Sequence, residues 1–358
     1  MKQAASIDAE RFQSYAKLVF GALTGALTAA MVWLGDRLGL YRALADSGPA
    51  TSEELATRTG LSERWLREWL QQQGAAGLLE HHGTGRFGLS PEGVAVLADE
   101  AHPAFGVGFF SSLPQTMALL EPLLESFRTG LGLPYDALGE EGARSIERGT
   151  APWFRALLVP LVVPRLGLRD ALERGMLVAD LGCGSGHALA ALAKAFPRSE
   201  FHGYELSRHA LARANENRNA EALGNLRFHD VSSEPLPDDG RFGLVLTLDV
   251  LHDMTDPAGA ARTVRRAIRS DGTWLVCEIK SYPSYEENVA RNPMAAMMYG
   301  TSVLTCMSSA LSEPGGAGLG TLGLHADLLR GFVEQAGFSR FEVLDFGHPV
   351  NAFYAIRP

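Results

Sequence analysis

The rhythm of apolar and polar positions changes once along this chain, at Gly175. Ahead of it the spacing is helical. Leu34, Leu38, Tyr41 and Leu44 recur every three or four residues and predict a helix over Trp33–Ala45, the second of two in residues 12–45. Thr51, followed three residues on by Glu54, forms a capping box, and the helix it opens stops at Gly60. Ser62 caps the next helix, with Trp65, Leu66, Trp69 and Leu70 on one face. Leu78–Glu80, a turn over His82–Gly85 and Arg86–Leu89 then read as a small hairpin. Residues 99–170 are mostly helical with breaks at Pro103, Pro114, Pro122 and Pro134. Their long apolar face (Met117, Leu119, Leu120, Leu123, Leu124, Phe127) reads as core or as the wall of a pocket. Behind Gly175 short apolar strands alternate with helices, the mark of a parallel α/β sheet. The strands are Met176–Asp180, Glu200–Tyr204, Leu226–His229, Gly243–Leu248 and Trp274–Cys277, with Phe341–Phe346 and Ala352–Ile356 as a closing antiparallel hairpin.

Length and charge sharpen this outline. At 358 residues the chain accommodates two domains, and the pattern divides it into 1–100, a helical linker or pocket wall over 101–170, and 171–358. Helix, turn, helix and hairpin over 51–89 make a winged-helix arrangement, for which DNA binding and a dimerisation or substrate-framing role compete. Residues 51–98 hold six acids (Glu53, Glu54, Glu63, Glu68, Glu80, Glu92) against Arg58, Arg64, Arg67 and Arg86, and the whole chain carries a net charge of −9. A groove-reading helix wants a basic footprint, so nucleic acid is not the expected partner. Leu18–Gly35 is free of charge and holds a G-x-x-x-G spacing at Gly21 and Gly25. Its Gly, Ala and Thr content favours a helix packed on a partner subunit over a membrane span. Asp8 and Glu10 upstream argue against a secretory signal. Three scattered cysteines, Cys183, Cys277 and Cys306, fit reduced thiols in the cytoplasm. His81-His82 lies in a hairpin turn and the other histidines lack ligand spacing, so no metal site is expected.

The strongest chemical signal is the first strand running into Asp180-Leu-Gly182-Cys-Gly184-Ser-Gly186 and then a helix from His187. Glycines let a ligand approach the backbone without a Cβ in the way. The third glycine falls one residue too early for a dinucleotide fingerprint, and Asp180 puts an anion where a pyrophosphate would be repelled. A cationic or zwitterionic ligand suits it better. Glu205 ends the second strand nineteen residues past Gly186, near the spacing from which an acid chelates ribose hydroxyls, and Asp230 ends the third, placed for an exocyclic amine. The fourth strand leads to Asp249-Val-Leu-His252-Asp253, a histidine that titrates near neutrality just past a strand end, where ligands bind.

These motifs over residues 170–358 resemble the class I S-adenosylmethionine-dependent methyltransferases. The resemblance implies a Rossmann-like domain with a seven-stranded, mostly parallel sheet behind an N-terminal all-α and winged-helix domain. It further implies that Asp180, Gly182, Gly184, Gly186, Glu205, Leu206, Asp230, Val231 and Asp249 line the S-adenosylmethionine site. His252-Asp253 is similar to the His-Asp segment of plant-type and bacterial small-molecule O-methyltransferases. That likeness makes His252 the general base on an acceptor hydroxyl, with Asp253 or Glu278 holding it, and the first helices the interlocking elements of a homodimer. Met254 replaces that family's tryptophan, and the plant pattern around the substrate is missing. The implied activity is methyl transfer to a small molecule. N-, S- or C-methylation and a cofactor-responsive DNA regulator are the other readings. The Met294, Met297, Met298 stripe is read as core or adaptable pocket, and the glycine-dense stretch 313–323 as a mobile loop over the pocket or a plain linker.

Overall fold

The computed structural model describes residues 7–358, so the first six residues of the expected 1–100 domain lie outside it. The chain divides at Leu113/Pro114 into two compact units.

The first unit opens with α1 (Ala9–Arg37), capped by Asp8, whose carboxylate accepts from Arg11 N at 2.9 Å. Trp33 therefore lies inside the first helix, not at the start of the second as expected. The chain breaks at Gly39, whose φ of +69° releases it into α2 (Leu40–Ser47). Of the apolar positions 34, 38, 41 and 44 that span the break, Tyr41 and Leu44 are buried in the core and Leu38 is exposed. α3 (Ser52–Thr59) carries the full capping box of Thr51 and Glu54, and α4 (Glu63–Ala75) follows. Strands β1 (Glu80–His81) and β2 (Phe87–Gly88) pair antiparallel as the wing, and Ala50 bridges to Phe87. Trp69 is buried edge-on to Tyr41, its indole donating to Met31 O at 2.9 Å. A Cβ on Gly35 would meet that indole at 2.6 Å, so glycine is required there. Trp65, expected on the same buried face, is 80% exposed.

The second unit is built on a seven-stranded sheet. Its strands are β3 (Leu177–Leu181), β4 (Glu200–Glu205), β5 (Leu226–Asp230), β6 (Phe242–Leu248), β7 (Ile268–Ile279), β8 (Arg340–Leu344) and β9 (Asn351–Arg357). Their order is β5-β4-β3-β6-β7-β9-β8, parallel except for β9, which runs antiparallel to both neighbours. Near-continuous apolar strands such as Phe242–Leu248 are buried on both faces, with a separate core on each side of the sheet. The order reverses between β3 and β6, and that switch point is where such sheets hold ligands. Pro114 and Pro122 open helices Leu113–Ala118 and Leu120–Thr129 instead of ending them, because a first turn tolerates a missing N–H. Leu119 between these two helices and Leu123 on the second are buried, whereas Met117, Leu120, Leu124 and Phe127 stand exposed.

The helix after β3 (His187–Ala195) begins with a histidine whose Nε2 lies 3.2 Å from Thr150 Oγ1 and whose Nδ1 lies 3.2 Å from Ser185 Oγ. Burial, and then Arg155, push its pKa from the ordinary 6.5 down to about 4. A folded-state value below the unfolded one means that protonation favours unfolding. Stability is then complete above pH 6.5 and declines as pH falls toward 4. Replacing His187 with Gln is expected to flatten the fall in melting temperature over that window; an unchanged slope would clear His187 of the effect.

Candidate active site

The carboxyl ends of β3, β4, β5, β6 and β7 meet along one edge of the sheet, and the sequence motifs all emerge there. Gly182 N closes the turn after β3 by donating to Tyr204 O at 2.8 Å. Gly182, Gly184 and Gly186 all adopt the left-handed conformation, at φ +78°, +55° and +74°, but for different reasons. A Cβ on Gly182 would strike Val250 at 2.4 Å, and one on Gly186 would strike the Phe228 ring at 2.2 Å. Gly184 has nothing within 4 Å. Two glycines are therefore demanded by packing, and the third opens onto ligand space.

Around that turn stand the strand-end acids. Asp180 is buried, with an oxygen that finds no hydrogen-bond donor. Burial, and then the neighbouring Glu205, raise its pKa well above the carboxylate range. Glu205 curls back on the loop: one oxygen accepts from Gly184 N at 2.8 Å, the other from Leu206 N and Ser207 N, each at 2.8 Å. Its pKa is nevertheless raised, burial outweighing those three donors. Glu205 and Asp230 are register partners on β4 and β5, and Val231 N closes onto Glu205 O at 3.1 Å. Asp230 is exposed and one of its oxygens caps Ser232, which leaves the other free. Leu206 lays a 67% exposed side chain beside them, an apolar ledge. An unpartnered buried carboxyl next to a second one, an open glycine and an apolar ledge form a socket that fits an adenosyl group bearing positive charge.

A second cluster follows β6. Asp249 takes a left-handed φ of +61°, strained for a residue with a Cβ, and starts the turn Leu251–Asp253. Glu278, next to last on β7, braces that turn with both oxygens. Leu251 N donates to one at 2.8 Å, and His252 Nδ1 lies 2.5 Å from the other. With its Nδ1 proton committed to Glu278, His252 gains and loses protons at Nε2, which lies 3.1 Å from Asp253 Oδ1. His252 and Glu278 are 3% and 1% exposed. Burial works against the imidazolium, but Asp253 and Glu278 outweigh it and hold the ring's proton affinity well above that of free histidine. Asp249, expected in the cofactor site, is grouped with His252 and Glu278, held by Asn351 Nδ2 at 3.0 Å. Burial pushes its carboxyl up to about 7.

Three neighbours carried no sequence signal. Tyr135 faces Glu205 and Asp253 from a turn that Asp136 pins to Ser207. Cys306, at the end of a π-helical turn over Ser302–Cys306, lies against His252, and Asn351 arrives from the last strand. Of the methionine stripe, Met298 is core, Met294 precedes the helix Ala295–Thr301, and Met297 is exposed. The glycine-dense stretch, expected to be mobile, makes two hydrogen bonds to its surroundings. Ala317 N donates to Thr255 O at 2.9 Å, Thr321 N donates to Ser302 Oγ at 3.2 Å, and Leu322 and Leu324 are buried.

Residues 172–317 match the family model of a methyltransferase domain, and residues 26–98 that of an Rv2258c-like winged helix-turn-helix domain. The demethylspheroidene O-methyltransferase of Cereibacter sphaeroides is 30% identical over 257 residues, 66% of this chain and 64% of that protein. The chain spans less than two thirds of the length of the curated relatives it matches. Human N-acetylserotonin methyltransferase in complex with S-adenosylmethionine shares the fold at a TM-score of 0.64 and 18% identity, over 99% of both chains. An O-methyltransferase family protein of Burkholderia thailandensis does so at 0.67 and 15%, over 98% of this chain and 99% of that one. At these identities the likeness to solved structures is one of fold. The likeness to a methyltransferase domain lies in the back half of the chain.

The unequal glycines give a direct test. Gly182→Ala is expected to lose about 1–3 kcal/mol in urea unfolding from overpacking against Val250, with further left-handed strain. Gly184→Ala is expected to lose only the left-handed strain, about 1–2 kcal/mol, yet weaken S-adenosylhomocysteine uptake by calorimetry at least tenfold. Equal behaviour of the two variants in both measurements would contradict this division.

Proposed function

We propose that this class I S-adenosylmethionine-dependent methyltransferase, built behind a winged helix-turn-helix domain, methylates a hydroxyl of a small organic molecule with His252 as general base. The cofactor supplies an activated methyl group on a sulfonium. Asp180, Glu205, Leu206, Asp230 and Val231, with the turn Gly182–Gly186, would hold its adenosyl and amino-acid parts. Asp249 would border it on the β6 side. A site this rich in carboxylates favours a positively charged ligand, which answers the unpartnered oxygen of Asp180.

The observation that carries the base assignment is the double brace of Glu278 on Leu251 N and His252 Nδ1. It fixes the ring's tautomer and direction, so that Nε2, once deprotonated at a pH above its raised value, takes the hydroxyl proton as the acceptor oxygen gains the methyl group. Asp253 stabilises the imidazolium that results. The products are a methyl ether and S-adenosylhomocysteine, with one proton left on His252. Alignment of the two reactants, exclusion of water and removal of that proton are the protein's contribution.

Two further readings concern partners. The exposed apolar side chains of α1 include Phe12, Tyr15, Leu18, Phe20, Leu23 and Leu27, and this helix is long and apolar enough to cross a membrane. Its later part is already used, however. Thr28 Oγ1 accepts from Gln72 at 3.0 Å, and Met31 O accepts from Trp69. The exposed apolar stretch 12–27 spans about 24 Å, short of a hydrocarbon core about 30 Å thick, and Lys17 interrupts it. A second copy of the chain is the better cover, with Gly21 and Gly25 open for close approach. We place this homodimer in the cytoplasm, where the buried free thiols of Cys183, Cys277 and Cys306 stay reduced. DNA is disfavoured, because Arg64 and Arg67 of α4 are paired with Glu68 and Glu63 at 2.7 and 2.8 Å.

A panel of phenols, alcohols and amines offered with methyl-labelled S-adenosylmethionine tests the chemistry. The product is expected to be an O-methyl ether, and His252→Ala to lower turnover about 10²–10⁴-fold with S-adenosylhomocysteine uptake retained. An N-methylated product, or full turnover by the variant, would overturn the reading. Light scattering is expected to give a dimer that Leu23→Asp with Leu27→Asp converts to monomer. Flotation of the wild-type protein with lipid vesicles would favour a membrane instead.

A further inference from the structure

We propose that His252, Asp253 and Cys306 form a binding site for one thiophilic divalent cation, zinc foremost. The histidine nitrogen, a carboxylate oxygen and the thiol sulfur all lie within 4.8 Å of one another, and His252 Nε2 to Asp253 Oδ1 is 3.1 Å. Tetrahedral zinc with bonds of about 2.0–2.3 Å separates its ligands by roughly 3.3–3.8 Å, so small side-chain movements close the set. The donors are one nitrogen, one oxygen and one sulfur, a combination that zinc accepts and magnesium or calcium does not.

Two further features match a metal site. His252 presents Nε2 while Glu278, 2.5 Å from Nδ1, backs the ring, the carboxylate–imidazole arrangement that orients metal-binding histidines. Asp253 Oδ1 is buried and makes no well-directed hydrogen bond. Its near neighbour is His252 Nε2 itself, at 3.1 Å, the nitrogen that a cation would share with it. The π-helical turn Ser302–Cys306 is what delivers the sulfur: it lies between the helix Ala295–Thr301 and the short helix Met307–Ala310 and ends on Cys306. Wide turns of this kind recur at functional positions. Three protein donors leave the fourth tetrahedral position to water or to an acceptor oxygen.

The consequence for activity rests on His252 being the base. A cation on Nε2 occupies the lone pair that would accept the acceptor's proton, so zinc-loaded protein does not methylate and a chelator restores turnover. Metal occupancy and catalysis then exclude one another at a single nitrogen.

Metal uptake is measured on the full chain, stripped with chelator, by titrating Zn2+ alone against a chromophoric chelator. Co2+ is added separately for its absorption spectrum. One zinc per chain is expected, with a thiolate–cobalt band in the near ultraviolet. Cys306→Ser and Asp253→Asn are each expected to weaken zinc at least tenfold, and Cys306→Ser to abolish the cobalt band. Unchanged uptake of S-adenosylhomocysteine reports that the variants are folded. Zinc affinity that survives Cys306→Ser, or a cobalt spectrum without thiolate character, places the metal elsewhere and overturns the site. Loading with the expected ligands but undiminished methyl transfer supports the site and overturns the base role of His252, so the two failures are distinguishable.

Discussion

Glu278 accepts two hydrogen bonds from one short turn, the Leu251 amide at 2.8 Å and the His252 ring at 2.5 Å, and it does so from next to the last position of a central strand. That strand is clamped between β6 and β9, so the carboxylate has almost no freedom of its own. The turn it braces begins at Asp249, whose left-handed backbone is costly for a residue with a Cβ. Take the carboxylate away and a buried amide and a buried ring lose their acceptor together, each worth about 1–3 kcal/mol of desolvation. The direction of His252 Nε2, and with it every chemical use of the pocket, follows from this one brace.

Electrostatics add a second constraint. Asp180, Glu205, Asp249, Asp253 and Glu278 converge on the sheet edge, with His252 the basic group placed among them. Burial pushes the carboxyls of Asp180 and Asp249 toward their neutral forms, as expected where negative charge is held in a dry place without compensation. Such a site lowers its free energy by taking up positive charge. In the proposed reading, a sulfonium cofactor on the β3–β4 side and a cation or proton on the β6–β7 side would be two answers to the same excess of anions.

The strands were legible because each is an apolar run with an abrupt polar or glycine end, and the acids that matter sit at those ends. Local rules also found the capping box at Thr51 and the wing. They failed where tertiary contacts decide. Trp33 and Trp65 fit amphipathic spacing equally well, but only the three-dimensional arrangement shows that the helix runs through the first and exposes the second. Gly39 could have flagged the true break, as the glycine just past a helix end usually does. Tyr135, Cys306 and Asn351 reach the pocket from 54 to 117 residues away in sequence, through a pinned turn, a π-helical turn and the last strand. No spacing rule connects them to His252. The contacts of the glycine-dense stretch were equally illegible, because Thr255 O and Ser302 Oγ, which accept from its amides, have no spacing relation to it.

The front unit shows why a fold is a poor guide to a partner. A winged helix invites a DNA-binding reading, yet its bases are already engaged within the unit. Arg64 and Arg67 are paired along α4, Arg86 grips Glu54 of the capping box, and Arg58 donates to Gly48 O at 2.8 Å. Exposed pairs of this kind contribute under about 1 kcal/mol each to stability, but every one must be broken before its arginine can reach a phosphate. The glutamates left behind would then repel the same backbone. What the unit presents instead is the uncharged stretch 18–27 of α1, whose exposed side chains are mostly apolar.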